Sequence, residues 1–265
     1  MDYTLHILEN YLTAIPLSVT QEVLNRTHLA IVCPMANESS NAIDFVKQVL
    51  GFCADFRKVE FFTVLDRVST DGTLDLLKKY AAGDARLKPV WAPENRSVVD
   101  AYLRGYREAI ASGADWILEI DAGFSHRPAD LPPFFEAMAE GYDCVFATRF
   151  AKGGKIEGSS RKRELISWGG TFLTNLLLRT KLSDMTSGFQ LFKKEILERI
   201  LDKGIFSRGP FFQTEMKAYC FQMNFTEIPI TYSMASHSVG TGTIMDSLRQ
   251  LWRLFRLKMS GSLSI

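Results

Sequence analysis

Residues 29–38 read LAIVCPMANE and residues 60–73 read EFFTVLDRVSTDGT. Each opens as a strand-length run of Leu, Ile, Val or Phe and breaks off into polar and acidic residues. Between them lies Ser39–Leu50, a segment of helical length and amphipathic pattern. Strand, helix and strand in that order form the unit of a parallel sheet. Outward from this pair the pattern repeats: Leu87–Trp91, Trp116–Ile120 and Cys144–Thr148 read as strands, and Thr73–Ala81, Val98–Ala111 and Asp130–Ala139 as helices. The sequence therefore predicts an α/β protein with a mostly parallel sheet and helices on both faces. After residue 150 the alternation stops. A Gly/Lys-rich loop, Lys152–Ser160, leads into a helix over Glu164–Arg179 and a polar turn, Ser183–Gly188. Helices over Lys193–Asp202 and Pro210–Met223, a strand over Thr226–Tyr232 and a last helix over Ile244–Lys258 follow.

Composition bounds the function. The chain has 265 residues, 46% hydrophobic and 23% charged, with 31 Lys plus Arg against 30 Asp plus Glu. These are the proportions of a folded globular protein, and a net charge of +1 argues against a bulk nucleic-acid binder. Cys33, Cys53, Cys144 and Cys220 lie far apart with no CxxC pair, and read as buried reduced thiols of a cytosolic protein. No segment reads as a membrane span, since the longest strongly apolar stretch, 165–178, falls short of the ~20 residues required. The acidic N-terminus, with Asp2 and Glu9, does not read as a signal peptide. Charge is uneven nonetheless. Six basic residues stand between Arg149 and Glu164 against two acids, and four between Ser247 and the end against none.

In open parallel sheets ligands bind beyond the carboxyl ends of the strands. Here those ends carry Pro34, Asn37 and Glu38; Asp66, Arg67 and Asp71; Glu94 to Arg96; Asp121 to His126; and Thr148 and Arg149. Acidic groups gathered at one edge suit Mg²⁺, which takes one or two carboxylates and completes its shell with phosphate oxygens and water. Asp71 and Asp130 are best read as turn or helix-capping residues. No GxGxxG follows the first strand, and no GxxxxGK[ST], HExxH or GxSxG occurs. The four histidines lack metal-ligand spacing.

The order Pro-x-x-Asn-Glu (34–38), Asp-x-x-Ser-Thr-Asp-Gly-Thr (66–73), Glu-Ile-Asp-Ala-x-x-Ser-His-x-Pro-x-Asp-Leu-Pro (119–132), Ala-Thr-Arg (147–149) and Thr-Ser-Gly-Phe-Gln (186–190) resembles family-2 glycosyltransferases. Within them it is similar to the dolichol-phosphate mannosyltransferase group, with further matches at Phe212-Gln213-x-Glu215 and 227–231. The resemblance spans residues 29–258. It implies a GT-A domain over 28–240, flanked by a partly helical extension (1–27) and a basic amphipathic helix (241–265). It also implies an inverting transfer of a hexose from a GDP- or UDP-hexose to a polyprenyl phosphate, assisted by Mg²⁺ or Mn²⁺. On these positions Pro34, Asn37, Glu38 and Asp66 line the nucleotide pocket. Asp121 begins the Asp-x-Asp that holds the metal, and Arg149 and Arg163 grip the acceptor phosphate.

Three departures from the family pattern stand out. The second Asp of Asp-x-Asp is Gly123, the paired Asp-Asp after the second strand is Asp66-Arg67, and the late Arg-x-x-Gly-x-Ser-Lys appears as His237 to Thr243. Arg67 or His237 supplying charge to a weaker metal site is one explanation. Glu119, on the same strand face as Asp121, is another. An inactive homologue is the third. Beside the catalytic reading stand a soluble transferase with a sugar or protein acceptor, an inactive nucleotide-sugar-binding homologue, and a structural partner of a membrane complex. Two stripes set the location. Leu165, Ile166, Trp168, Phe172, Leu173, Leu176 and Leu177 follow Arg161 to Arg163, and Leu248, Leu251, Trp252 and Phe255 oppose Arg249, Arg253 and Arg256. Both fit either helices lying at a membrane surface or on a membrane-anchored protein partner, or ordinary core-facing surfaces; the lipid reading is favoured for 165–178 and the two stand level for the last helix. The expected location is the cytosolic face of a membrane, held peripherally.

Overall fold

The computed structural model describes residues 17–233 and 241–265. Its elements in chain order are α1 (Leu17–Leu24), β1 (His28–Pro34), α2 (Ala42–Phe52), β2 (Lys58–Leu65), α3 (Thr73–Ala81), β3 (Leu87–Trp91) and α4 (Val98–Ala111). There follow β4 (Trp116–Glu119), a 3₁₀ turn (Pro128–Asp130), α5 (Pro132–Ala139), β5 (Cys144–Thr148), β6 (Lys155–Glu157) and α6 (Arg161–Leu178). The last are β7 (Gln190–Lys193), α7 (Lys194–Lys203), α8 (Phe212–Tyr219), β8 (Phe225–Pro229), β9 (Thr231–Ser233) and α9 (Thr241–Met259). The main sheet runs β3-β2-β1-β4-β7-β5-β8, parallel except for β7, which is antiparallel to both neighbours.

The period-two geometry of β1 divides the core. Leu29, Ile31 and Cys33 face α2 and α5, among Phe45, Val49, Phe134 and Met138. Ala30 and Val32 face the other layer, among Val99, Tyr102 and Tyr106 of α4 and the residues of α7 and α8. Helix α4 lies so close to β1 that a Cβ at Gly105 would stand 2.3 Å from Val32 Cγ1. Leu24 of α1 is buried in the first layer, and Leu251 and Leu254 of α9 in the second. The sheet with helices on both faces agrees with the sequence reading.

Four features differ from it. Strand β7 falls where the sequence reading assigned no element, between the turn Ser183–Gly188 and the helix from Lys193, because four residues are too few to show a period. It inserts between β4 and β5 and places Gln190 opposite Glu119. The run read as one strand over 226–232 is two, since the chain leaves the main sheet at Ile230 and β9 pairs with β6 in a separate two-stranded sheet. The loop expected over Lys152–Ser160 therefore contains β6. Asp130 does not cap α5; its carboxylate accepts from the Thr231 N–H at 3.1 Å and ties the 3₁₀ turn to β9.

Candidate active site at the carboxyl edge of the sheet

Two loops of the edge are stitched into one wall. Asn37, in the left-handed region at φ 59°, donates from Nδ2 to Val68 O (3.0 Å) and accepts on Oδ1 from Thr70 N–H (2.9 Å). Thr73 Oγ1 accepts from the Glu38 N–H at 2.9 Å, and Asp71 accepts from the N–H of Ser39 and of Thr73. Asp71 thus joins the two loops, consistent with its reading as a turn former. Asp66 closes its own turn by accepting from the Val68 N–H at 2.9 Å, and Arg67 is exposed. Pro34 ends β1 at the base of this wall. His237 lies outside the described residues.

Asp121 follows β4 at the middle of the edge. Its side chain is 38% exposed, and its Oδ1 accepts from the Tyr102 hydroxyl. Burial, with Asp121 and Glu119 nearby, raises the Tyr102 phenol well above its usual range, so it stays a donor. His126 folds back beneath the loop, and its Nδ1 accepts from the Asp121 N–H at 3.1 Å. Burial pushes this imidazole down to about 4, so it is neutral and its 3.7 Å approach to Asp121 Oδ2 is no ion pair. Glu119, the alternative second carboxylate, turns away from the edge. It is fully buried, bonded by Tyr106 and Gln213, and burial pushes it up to about 8. It is therefore withdrawn from any cation at Asp121.

Gly123 has φ +71°, and a Cβ there would lie 2.9 Å from Glu38 Oε1 and 3.2 Å from Oε2. The Glu38 carboxylate fills the place of the missing side chain. Among the described residues no group of three or more His, Cys, Asp or Glu could hold a metal by itself. The donor set beside Asp121 fits a cation that draws its other ligands from a diphosphate and water.

The opposite wall is basic. Arg149, at the end of β5, donates from Nε to Asp184 Oδ2 (2.7 Å) and from Nη2 to Asp184 Oδ1 (2.9 Å) and Thr186 Oγ1 (2.6 Å). Burial raises the Asp184 carboxyl, but the charge and hydrogen bonds of Arg149, with Lys217, outweigh it and hold the group at about 2. The Asp184 turn is itself anchored. Glu227 accepts from the N–H of Ser183 and Asp184, Thr171 from that of Met185, and buried Lys217 donates to Asp184 O at 2.7 Å. Burial brings Lys217 down to about 8. The Arg149 guanidinium lies 5.6 Å from the Tyr232 ring centre. Burial raises the Tyr232 phenol, Asp121 raises it further, and Arg149 and Arg163 act against both. Arg163 sits in the first turn of α6, where Ser160 caps the helix by accepting from its N–H.

From that turn an apolar stripe runs down α6: Leu165, Trp168, Phe172 and Leu176 are all more than half exposed, and Trp168 stacks on Phe172 at 5.8 Å. Leu173 and Leu177 instead pack on the core. Helix α9 packs against α6 and adds exposed Met245, Leu248 and Trp252 beside Arg249 and Arg256. Its faces divide differently from the sequence reading. Leu251 is buried, Phe255 is partly buried, and Arg253 turns inward to the buried Glu215. No helix among the described residues is long and apolar enough to cross a membrane.

Fold and edge define a GT-A protein. Solved structures of glucosyl-3-phosphoglycerate synthase from Mycobacterium tuberculosis superpose with TM-scores of 0.63 (with uridine diphosphate) and 0.62 (with Mn²⁺, uridine diphosphate and phosphoglyceric acid). Identity to both is 16%, with 91% and 90% of this chain and 83% and 80% of those chains covered. The sequence model of glycosyl transferase family 2 matches residues 30–201, and the chain belongs to that family and is a glycosyltransferase. It is similar to an undecaprenyl-phosphate mannosyltransferase of Micrococcus luteus, 30% identical over 72% of this chain and 79% of that protein. It is also similar to a polyprenol monophosphomannose synthase of Mycolicibacterium smegmatis, 27% identical over 77% of this chain and 76% of that protein. Sequence reading missed Tyr102, Asp184, Lys217 and Tyr232. Asp184 alone carried a signal, as the acid two residues before the matched Thr-Ser-Gly-Phe-Gln.

Proposed function

We propose that this glycosyltransferase moves a hexose from a GDP- or UDP-hexose to a polyprenyl phosphate, with inversion, at the cytosolic surface of a membrane. One observation carries the reading: the helix with Arg163 in its first turn bears the exposed stripe Leu165–Trp168–Phe172–Leu176, and its Thr171 anchors the Asp184 turn that clamps Arg149 at the edge. A ligand with a phosphate head and a hydrocarbon tail matches that sequence of surfaces. The names of the two curated relatives point the same way.

The chemistry needs no dedicated base. A phosphate monoester has its second pKa near ~6, so near neutral pH the acceptor is largely a dianionic nucleophile. Arg163 holds its phosphate. Arg149, clamped by Asp184, contributes fixed charge that needs no reorganisation during transfer. Asn37, Glu38, Asp66 and Pro34 shape the donor side, and Asp121 is the residue to hold a divalent cation. When bound, that cation supplies positive charge to the departing diphosphate. In-line displacement of the diphosphate at the anomeric carbon inverts its configuration. Trp168, Phe172 and Trp252, flanked by Arg249 and Arg256, seat the enzyme on anionic lipid or on a membrane-anchored partner.

The test is incubation with polyprenyl phosphate in detergent, Mg²⁺ or Mn²⁺, and a panel of radiolabelled GDP- and UDP-hexoses. One donor is expected to yield an organic-extractable glycolipid of inverted configuration. Arg163→Ala is expected to raise KM for the lipid about tenfold, on the scale of a charge-assisted contact, and to leave donor binding unchanged. Donor binding without glycolipid from any donor overturns the reading.

A further inference from the structure

We propose that Glu38 supplies the second carboxylate of the cation site, taking over from the side chain that position 123 lacks. The inference rests on the cation-assisted reading above and assigns a ligand which that reading leaves open. Its first support is spatial. The first side-chain carbon of any residue at 123 would stand 2.9 Å from one Glu38 oxygen and 3.2 Å from the other. An aspartate there would project its carboxylate into the volume that Glu38 occupies. Glu38 and a side chain at 123 are therefore alternatives for one place beside Asp121.

The second support is charge. Among the described residues no Lys or Arg pairs with Glu38 or Asp121, although acids elsewhere in the chain, such as Asp184 and Glu215, have arginine partners. Glu38 and Asp121, each without a cationic side chain in ion-pair range, leave negative charge at this part of the edge that a divalent ion would balance. The third support is placement. Thr73 fixes the Glu38 N–H and Asn37 ties the same loop to 68–70, so Glu38 is presented by a braced backbone. The loss of the second aspartate is, on this reading, a transfer of the ligand from one loop to its neighbour.

The experiment uses the full chain and Mn²⁺, whose free concentration is read from its electron paramagnetic resonance signal, in the presence of GDP and, separately, UDP. Wild type is expected to bind Mn²⁺ with one of them. Asp121→Asn and Glu38→Gln are each expected to weaken it tenfold or more. Glu38→Ala/Gly123→Asp is expected to recover it, because an aspartate grows into the vacated volume and tolerates the left-handed backbone. Nucleotide affinity in EDTA and thermal unfolding are measured alongside, so that Mn²⁺ affinities are compared at equal nucleotide occupancy of folded protein. Wild-type Mn²⁺ affinity in Glu38→Gln, with loss in Asp121→Asn, overturns the assignment and leaves the cation reading standing. A Mn²⁺ loss in Glu38→Gln that disappears at equal nucleotide occupancy also overturns it. No Mn²⁺ binding by the wild type with either nucleotide overturns both readings.

Discussion

At the scale of single residues the decisive arrangement is Arg149 against Asp184. The guanidinium fork meets both carboxylate oxygens, and both side chains are nearly or fully buried. Removing one partner of such a pair strands a buried charge. Arg149→Ala is expected to cost about 3–5 kcal/mol in urea unfolding. The pH dependence follows from the depressed Asp184 carboxyl. Its contribution is complete above the ordinary carboxylate range near 3.8 and is lost as pH falls towards about 2. Without Arg149 the carboxyl rises, so acid unfolding followed by circular dichroism should begin at higher pH than in wild type; an unmoved acid limb would contradict the pairing. The sequence picked out Arg149 because it ends a strand. It did not pick out Asp184, whose one signal was its place just before the matched Thr-Ser-Gly-Phe-Gln, because the role of that polar turn comes from four distant anchors. Backbone strain also gathers here. Asn37, Phe124 and Phe189 all have positive φ near the edge, each at about 1–3 kcal/mol. Phe45 braces Phe124 edge-on, and Phe134 stacks on Phe189 at 4.4 Å.

At the scale of elements, α6 and α9 share one design with two sides. Their inward residues are core, so Leu254→Ala should cost about 2–5 kcal/mol. The outward aromatics bury little against the protein, and Trp168→Ser/Phe172→Ser should leave the urea midpoint near that of wild type. The same double variant should lose most co-sedimentation with vesicles containing anionic lipid, and retained co-sedimentation would remove these aromatics from the membrane contact. Amphipathic patterning made both helices legible. It did not separate lipid-facing from core-facing apolar residues, because a stripe wider than one contact face looks the same from either side. Arg253 shows the limit most plainly: spacing assigns it to the basic outer face, and Glu215 draws it inward.

At the scale of the whole molecule, α8 links the two regions. Gln213 and Lys217 reach Glu119 and Asp184 behind the site, while Glu215 accepts from Ser207, Tyr219 and Arg253. Residues 241–265 therefore serve the domain as well as its surface. A chain ending at residue 240 should lose cooperative urea unfolding and near-ultraviolet circular dichroism. It would strip Leu251, Leu254 and Leu263 from the second core layer and leave Glu215 buried without its arginine. A native-like, cooperative shortened chain would show α9 to be an appendage.

The sequence by itself determined the parallel α/β alternation, the polar edge and the two amphipathic helices, because those features are written in local period and in the residues that end each strand. Tertiary structure alone decided where β7 inserts, which carboxylate holds Arg149, and that Glu38 stands in the place of a side chain at Gly123. Each of these depends on residues far apart in the chain meeting at one point, and no local pattern encodes such a meeting.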